Sequence, residues 1–110
     1  MNAMRNRVQL IGHLGQDPEV KTLEGGRKVA NFTLATNDYY TNDKGEKIEN
    51  TEWHKVVAWG KTAEIIEKYV NKGKEVAVDG KLTHRSYDDK DGAKRYVTEV
   101  VVNDILLLGK

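Results

Sequence analysis

Apolar and polar residues alternate along several short stretches of the chain, which is the pattern of strands with one buried face. In the first stretch, Val8, Leu10 and Leu14 alternate with more polar neighbours. The later stretches are rich in Val, Thr, Ile, Trp and Tyr, and clusters of Gly, Asn and Asp separate them. The pattern predicts five strands, over residues 7–14, 29–36, 51–59, 75–87 and 94–102. The last two are expected to form a hairpin across Asp91-Gly92.

One segment, residues 61–72, changes to the period of a helix. Its apolar positions recur at a spacing of three and four residues, and they are Ala63, Ile66 and Val70, with Ile65 and Tyr69 widening the stripe. We expect Thr62 to cap the amino end and Gly73 to follow the carboxyl end, because these residue types favour those positions. The chain therefore contains one predicted helix.

The predicted order of elements is β-β-β-α-β-β, with the helix between the third and fourth strands. This order, in a chain of 110 residues, fits an all-β, five-stranded oligonucleotide/oligosaccharide-binding (OB) barrel of Greek-key type. An open β sandwich is the alternative. No linker or internal repeat divides the chain, so we predict a single domain over residues 1–110 with Phe32 and Tyr69 in its core.

Composition excludes several classes of protein. The chain has no Cys, so it can form neither disulfides nor thiolate metal sites, and the metal-ligand spacing of a zinc finger is absent. No apolar run approaches the roughly 20 residues of a membrane span, and the first residues lack the apolar core of a signal peptide. We therefore expect a soluble protein that is not exported. The formal net charge of +1 does not by itself indicate a nucleic-acid partner.

The positions of the aromatic residues are more informative than the total charge. Trp53, Lys55 and Trp59 share one face of the third predicted strand, so an ammonium lies between two indoles. Lys81, Arg85 and Tyr87 share a face of the fourth strand in the same way, and Tyr39 and Tyr40 fall in the predicted loop after the second strand. Aromatic platforms interleaved with cations are what single-stranded nucleic acid requires. The alternatives are that the two Trp residues belong to the core and that the cations form an ordinary solvated face.

Candidate catalytic and metal-binding residues do not form a recognisable motif. Ser86 lies in a predicted strand beside His84, without the turn that exposes a nucleophilic serine. His13 and His54 lie on other strands and lack metal-ligand spacing. The acidic residues of segment 88–92 fit a hairpin turn better than a calcium loop, because the remaining ligands are missing. We predict neither enzymatic activity nor a cofactor or metal.

Five segments together resemble the bacterial single-stranded DNA-binding protein (SSB) family. They are VQLIGHLGQDPEV at residues 8–20, VANFTLAT at 29–36, TEWHKVV at 51–57, GKTAE at 60–64 and YVTEVVV at 96–102. The resemblance covers nearly the whole chain. It implies an OB-fold subunit of a homotetramer that wraps and protects single-stranded DNA during replication, recombination and repair, in the cytoplasm and associated with the nucleoid. Members of the family are not enzymes.

The resemblance also implies roles for individual residues. The base-stacking positions are Trp53, Trp59, Tyr87 and Tyr40, or Tyr39 with a slip of one residue. We expect the phosphate contacts to come from Lys55, Lys61, Lys81, Arg85 and Arg95. His54 matches a position that looks toward the subunit interface.

The chain departs from the family at its carboxyl end. Family members usually continue into a flexible segment with an acidic tip, whereas this sequence stops at Gly109-Lys110. From that difference we expect DNA binding without recruitment of partners that depend on the tail. Two other functions stay open at this point: an OB module that binds protein or oligosaccharide, and a replication accessory that mainly bridges other proteins.

Overall fold

Long strands joined by tight turns make up most of the molecule. The computed structural model describes residues 3–109. Its elements are β1 (Val8–Leu14), β2 (Glu19–Thr22), β3 (Lys28–Thr41), β4 (Lys47–Trp59), α1 (Lys61–Tyr69), β5 (Glu75–Asp88) and β6 (Lys94–Leu107), with short 3₁₀ turns at Ala3–Asn6 and Glu24–Gly26. Residues 1, 2 and 110 lie outside the described residues, although the predicted domain includes them.

The strands close into a barrel. Their order is β1-β5-β6-β4-β3, and β1 returns to β3 through the pairs His13↔Ala35 and Leu14↔Leu34. All neighbours are antiparallel except β4 and β6, which run parallel over three pairs. The short strand β2 lies on the outer edge of β3. The prediction of a five-stranded OB barrel is confirmed, and the helix lies between the third and fourth long strands, β4 and β5.

The barrel encloses one apolar core. It contains Leu14, Ala30, Phe32, Leu34, Val56, Ala58, Ala63, Ile66, Val70, Val76, Val78, Val100 and Val102. Phe32 is buried, as predicted, but the prediction that Tyr69 belongs to the core is wrong, since Tyr69 is 64% exposed. With 3.6 residues per helical turn, Tyr69 lies about a quarter of a turn from the centre of the buried stripe that Ala63 and Ile66 form within the helix. The buried side chains of Ala63, Ile66 and Val70 therefore close one end of the barrel, and Tyr69 stays outside.

The ends of α1 differ from the prediction. The helix begins at Lys61, but Gly60 occupies the N-cap in place of Thr62, with φ 64° and ψ −130°. Residues with a Cβ atom disfavour that backbone conformation, so the sharp turn from β4 into the helix requires glycine. The helix ends at Tyr69 because Val70 becomes extended and points into the core. Gly73 lies beyond the helix, in a turn where the Lys74 N–H donates to the Asn71 carbonyl at 3.0 Å.

Two further differences concern the strands. The pattern missed β2, which has only four residues and a mostly exposed burial pattern. It also placed Tyr39 and Tyr40 in a loop, whereas β3 continues through both residues to Thr41 and forms a long hairpin with β4. The Asn42 side chain holds the turn of this hairpin, accepting hydrogen bonds from the N–H groups of Lys44 and Glu46 at 2.9 Å. A paired ribbon therefore replaces the predicted loop.

Among the described residues, none of the helical segments combines the length and the apolar character that crossing a bilayer would require.

Candidate nucleic-acid interface

The candidate site is the outer face of β3 and β4, and the register between these strands decides which side chains share it. The ladder runs without interruption from Val29↔Trp59 to Thr41↔Lys47. Because side chains alternate along a strand, Trp53 and Lys55 lie on one face together with Tyr39, which pairs with Glu49. Tyr40 pairs with Ile48 and belongs to the opposite face. The two adjacent tyrosines therefore point to different sides of the hairpin.

Trp53 lies open on this face and rests against a glycine. Its side chain is 61% exposed. Gly15, which follows β1, donates its N–H to the Thr33 carbonyl at 3.2 Å and approaches the indole so closely that a Cβ at residue 15 would lie 2.4 Å from Cζ3. The backbone at Gly15 thus supports the indole from one side. The alternative that Trp53 is a core residue is excluded by its exposure.

A groove runs between the β3–β4 face and the β5–β6 hairpin, and Trp53 is not part of its lining. The structure brings together three of the predicted site residues here: Lys55, Arg85 and Tyr87. Asn31, Thr33 and Val57 also line the groove, and the carboxylates of Asp17, Glu19 and Glu99 stand along it. Lys61, Lys81 and Arg95 are not part of its lining. The groove is therefore cationic at some points and acidic at others.

The two arginines of the predicted phosphate contacts are already paired with carboxylates. Arg85 donates from Nε to Glu99 at 2.8 Å, and its guanidinium lies 5.9 Å from the centre of the Tyr87 ring. The hydrogen bond to Glu99 and the charge of that carboxylate raise the pKa of Arg85. Arg95 donates to Asp89 at 2.8 Å, and this contact, with backbone hydrogen bonds in the turn, lowers the pKa of Asp89. These pairs keep both guanidiniums positioned at the hairpin.

The three predicted lysines differ from the arginines. Lys55, Lys61 and Lys81 are exposed, and none forms an ion pair with another residue between 3 and 109. Their charges are available to an anionic partner without the loss of an ion pair to any described residue.

Two cations that the sequence pattern did not indicate cover aromatic rings. Arg27 lies over the ring of Trp59 at 4.5 Å from its centre, and Lys47 lies over Tyr39 at the same distance. In the hairpin register Tyr39 pairs with Glu49, and Lys47 lies diagonally opposite Tyr39. An antiparallel hairpin with its turn at Asn42 would have indicated the contact between Lys47 and Tyr39. The Tyr39 hydroxyl donates to Glu49 at 3.0 Å, and this bond with the nearby charge raises the pKa of Tyr39.

A second hollow is lined by Trp53 and His54. The imidazole Nε2 is 2.9 Å from the Thr36 hydroxyl, and the ring is half-buried. Leu82 and Tyr96 line the same hollow. Tyr96 is the most exposed of the large aromatic side chains, and the sequence pattern indicated no role for it. Within residues 3–109, no group of three or more acidic or histidine side chains could hold a metal ion.

The barrel and its exposed face define a class of protein. In OB barrels, the face of the second and third strands, with the loops that flank it, binds oligonucleotides and oligosaccharides, and here those strands are β3 and β4. The model of the single-strand binding protein family matches residues 5–108. The chain belongs to this family, as its resemblance in sequence implied.

Individual relatives agree with the family assignment. The chain is 50% identical over 105 residues to single-stranded DNA-binding protein 1 of Chlorobaculum tepidum and to the single-stranded DNA-binding protein of Bacteroides thetaiotaomicron. In both cases the match covers 94% of this chain and 65% of the relative, so the chain spans somewhat less than two-thirds of their length.

Solved structures are similar over most of the chain. The SSB of Plasmodium falciparum in complex with ssDNA superimposes with a TM-score of 0.87 at 34% identity, covering 94% of this chain and 95% of that one. A deletion mutant of the single-stranded DNA binding protein from Thermus aquaticus superimposes with a TM-score of 0.81 at 32% identity, covering 94% of this chain and 50% of that one.

Proposed function

We propose that this chain binds single-stranded DNA without sequence preference and protects it during replication, recombination and repair, and that it is not an enzyme. One observation carries the proposal: the exposed indole of Trp53 and the ammonium of Lys55 share the barrel face that OB proteins use for oligonucleotides. The Plasmodium falciparum SSB, which has a similar fold, forms a complex with ssDNA, and this supports the same ligand here. The role would place the protein in the cytoplasm, with nucleoid DNA.

In this proposal the aromatic rings bind bases and the cations bind phosphates. Trp53, Trp59, Tyr87 and one tyrosine of the β3–β4 hairpin are the stacking platforms, and the face shared with Trp53 favours Tyr39 over Tyr40. Base–aromatic stacking contributes roughly 1–3 kcal/mol per base whatever the base, so a few platforms give affinity without sequence recognition. Phosphates would contact Lys55, Lys61, Lys81, Arg85 and Arg95.

The arginine pairs modify how the phosphates would be bound. Arg85 and Arg95 must share their guanidiniums between a carboxylate and a phosphate, or exchange one for the other. The three lysines, which form no ion pair with any residue between 3 and 109, carry no such cost. The salt dependence of binding should therefore come mainly from the lysines, at about −0.7 in log K per log salt for each phosphate neutralised on a single strand.

The proposed assembly is a homotetramer, and two separate apolar surfaces support it. Ile11 and Leu106 are each 62% exposed and lie on the outer face of β1, β5 and β6. Leu82 and Tyr96 form a second apolar surface beside His54. A dihedral tetramer needs at least two kinds of interface between subunits, and two exposed patches on one small barrel meet that requirement. His54 would then be an interface residue.

The edge of β1 adds to this argument. Residues 8–12 pair with β5 on one side, whereas the contacts of β1 with β3 are limited to His13 and Leu14. Their remaining backbone edge can accept a strand from a second copy. Light scattering should give the mass of four chains, and Ile11→Glu should lower that mass, whereas Leu23→Glu at an exposed position near β2 should not. A monomeric parent protein would contradict the tetramer.

The DNA proposal is tested by intrinsic tryptophan fluorescence. Oligo-dT should quench the emission at low and moderate salt, and a duplex of equal length should quench it much less. Trp53→Ala should weaken binding of a short oligo-dT by roughly 1–3 kcal/mol, the range for loss of one stacked base. Equal binding of duplex and single strand, or no quenching at all, would refute the proposal and favour an OB module that binds protein or oligosaccharide.

A further inference from the structure

Arg27 covers one of the proposed stacking platforms. Its guanidinium carbon lies 4.5 Å from the centre of the Trp59 ring. Trp59 is 36% exposed, compared with 61% for Trp53, and among residues 3–109 no cation lies over the Trp53 ring in the same way. The two indoles therefore differ in what a nucleobase would meet.

The backbone on both sides of this contact is held in place. The turn before β3 is closed by the Leu23 N–H, which donates to the Arg27 carbonyl at 2.7 Å, and the next residue, Lys28, accepts from the Gly60 N–H at 2.9 Å. The ladder then pairs Val29 with Trp59. The Arg27 side chain can leave the ring without any change in these backbone contacts.

Among the described residues, no carboxylate pairs with the Arg27 guanidinium. The adjacent Lys28 forms an ion pair with Glu67, whereas Arg27 forms none with any residue between 3 and 109. Its position over Trp59 therefore rests on the cation–π contact. At an exposed site this contact is weaker than the stacking of a base on an aromatic ring. A nucleobase can compete with Arg27 for Trp59.

We propose that Arg27 covers Trp59 in the DNA-free protein and moves to a phosphate of the bound strand when a base stacks on that ring. The inference rests on the proposed function, because it adds a phosphate-binding residue to the same site. Arg27 lies just before β3, next to the platform, so its long side chain can reach the backbone of the nucleotide that replaces it. Its positive charge is kept on binding and only its partner changes.

The test uses Trp53→Phe as the parent protein, since the chain has two Trp residues and Trp59 then becomes the sole reporter. In this background we compare Arg27→Ala and Arg27→Lys with Lys68→Ala, a control that removes one positive charge from the exposed side of α1. Quenching by acrylamide reports how far Trp59 is covered in the free protein. Titration with a short oligo-dT at several salt concentrations gives the slope of log K against log salt.

Arg27→Ala should increase acrylamide quenching of Trp59 and reduce the salt slope by about 0.7, the value for one phosphate on a single strand. Arg27→Lys should keep the parent slope, and so should Lys68→Ala. This inference alone would be overturned if Arg27→Ala bound normally with an unchanged salt slope. It would also be overturned if Lys68→Ala reduced the salt slope as much as Arg27→Ala does. Failure of both wild type and parent to bind oligo-dT would overturn the proposed function together with it.

Discussion

Replacing Gly15 with Ala tests whether the orientation of Trp53 matters for binding. A Cβ at residue 15 would lie 2.4 Å from Cζ3 and 3.0 Å from Cη2 of the indole. Carbon atoms in contact normally lie about 3.5–4.0 Å apart, so the ring must move by roughly 1 Å or more. Because Trp53 is largely exposed, its side chain can turn outward without disturbing the core. The substitution should therefore change the platform and leave the fold intact.

The size of the effect follows from the value of one stacked base. Complete loss of stacking at Trp53 corresponds to roughly 1–3 kcal/mol, and a displaced ring should lose part of it. We expect Gly15→Ala to weaken binding of a short oligo-dT by about 1–2 kcal/mol, which is about 5- to 30-fold. The measurement is anisotropy of a labelled oligonucleotide at fixed salt.

Gly12→Ala is the matched comparison, because the new methyl group meets backbone there and not a mobile side chain. A Cβ at residue 12 would lie 2.1 Å from the Ala35 carbonyl oxygen, where β1 closes the barrel on β3. Overpacking of this kind costs roughly 1–3 kcal/mol of stability. We expect Gly12→Ala to lower the melting temperature clearly and Gly15→Ala to leave it nearly unchanged.

A double-mutant cycle completes the test. In a Trp53→Ala background, Gly15→Ala should not weaken binding of oligo-dT any further. A remaining change within about 0.3–0.5 kcal/mol, the margin within which independent substitutions add, would count as none. Wild-type affinity in Gly15→Ala would refute the reasoning that the indole must rest against this glycine. A loss of affinity that persists without the indole would assign the effect to something other than Trp53.

Three further predictions follow from the hairpins. Glu99→Gln should release Arg85 for phosphate, so oligo-dT should bind several-fold more tightly with a steeper salt slope; weaker binding in a salt titration would contradict this. Because the pKa of Asp89 is lowered in the fold, its contribution to stability is full above the ordinary carboxyl pKa and is lost as the pH falls through the lowered value. Between about pH 6 and 2, acid should therefore lower the melting temperature of Asp89→Asn less than that of wild type. Parallel curves of melting temperature against pH would refute the role of this carboxylate. Tyr39→Ala should weaken oligo-dT binding by roughly 1–3 kcal/mol and Tyr40→Ala much less, and equal losses would contradict the assignment of faces.

Local pattern was enough for much of the fold. A period of two along β1 and β4, and helical spacing at Ala63 and Ile66, arise within single elements, and the barrel followed from their order. The extension of β3 through Tyr39 and Tyr40 was missed because a hairpin with two polar faces has no hydrophobic alternation to detect. The N-cap at Gly60 was missed because the turn out of β4, and not a capping hydroxyl, determines where α1 begins.

The sequence by itself determined the family, the barrel and the candidate set of aromatic and cationic residues, because these depend on neighbours along the chain. The tertiary structure alone decided how the set is arranged. Strand register joins Arg85 to Glu99, Gly15 to the Trp53 indole and Arg27 to Trp59, across separations of 14, 38 and 32 residues. The contacts of Arg85 and Arg27 form only when the β5–β6 and β3–β4 hairpins pair, and that of Gly15 only when β1 closes on β3, so no periodicity within a single strand could have indicated them.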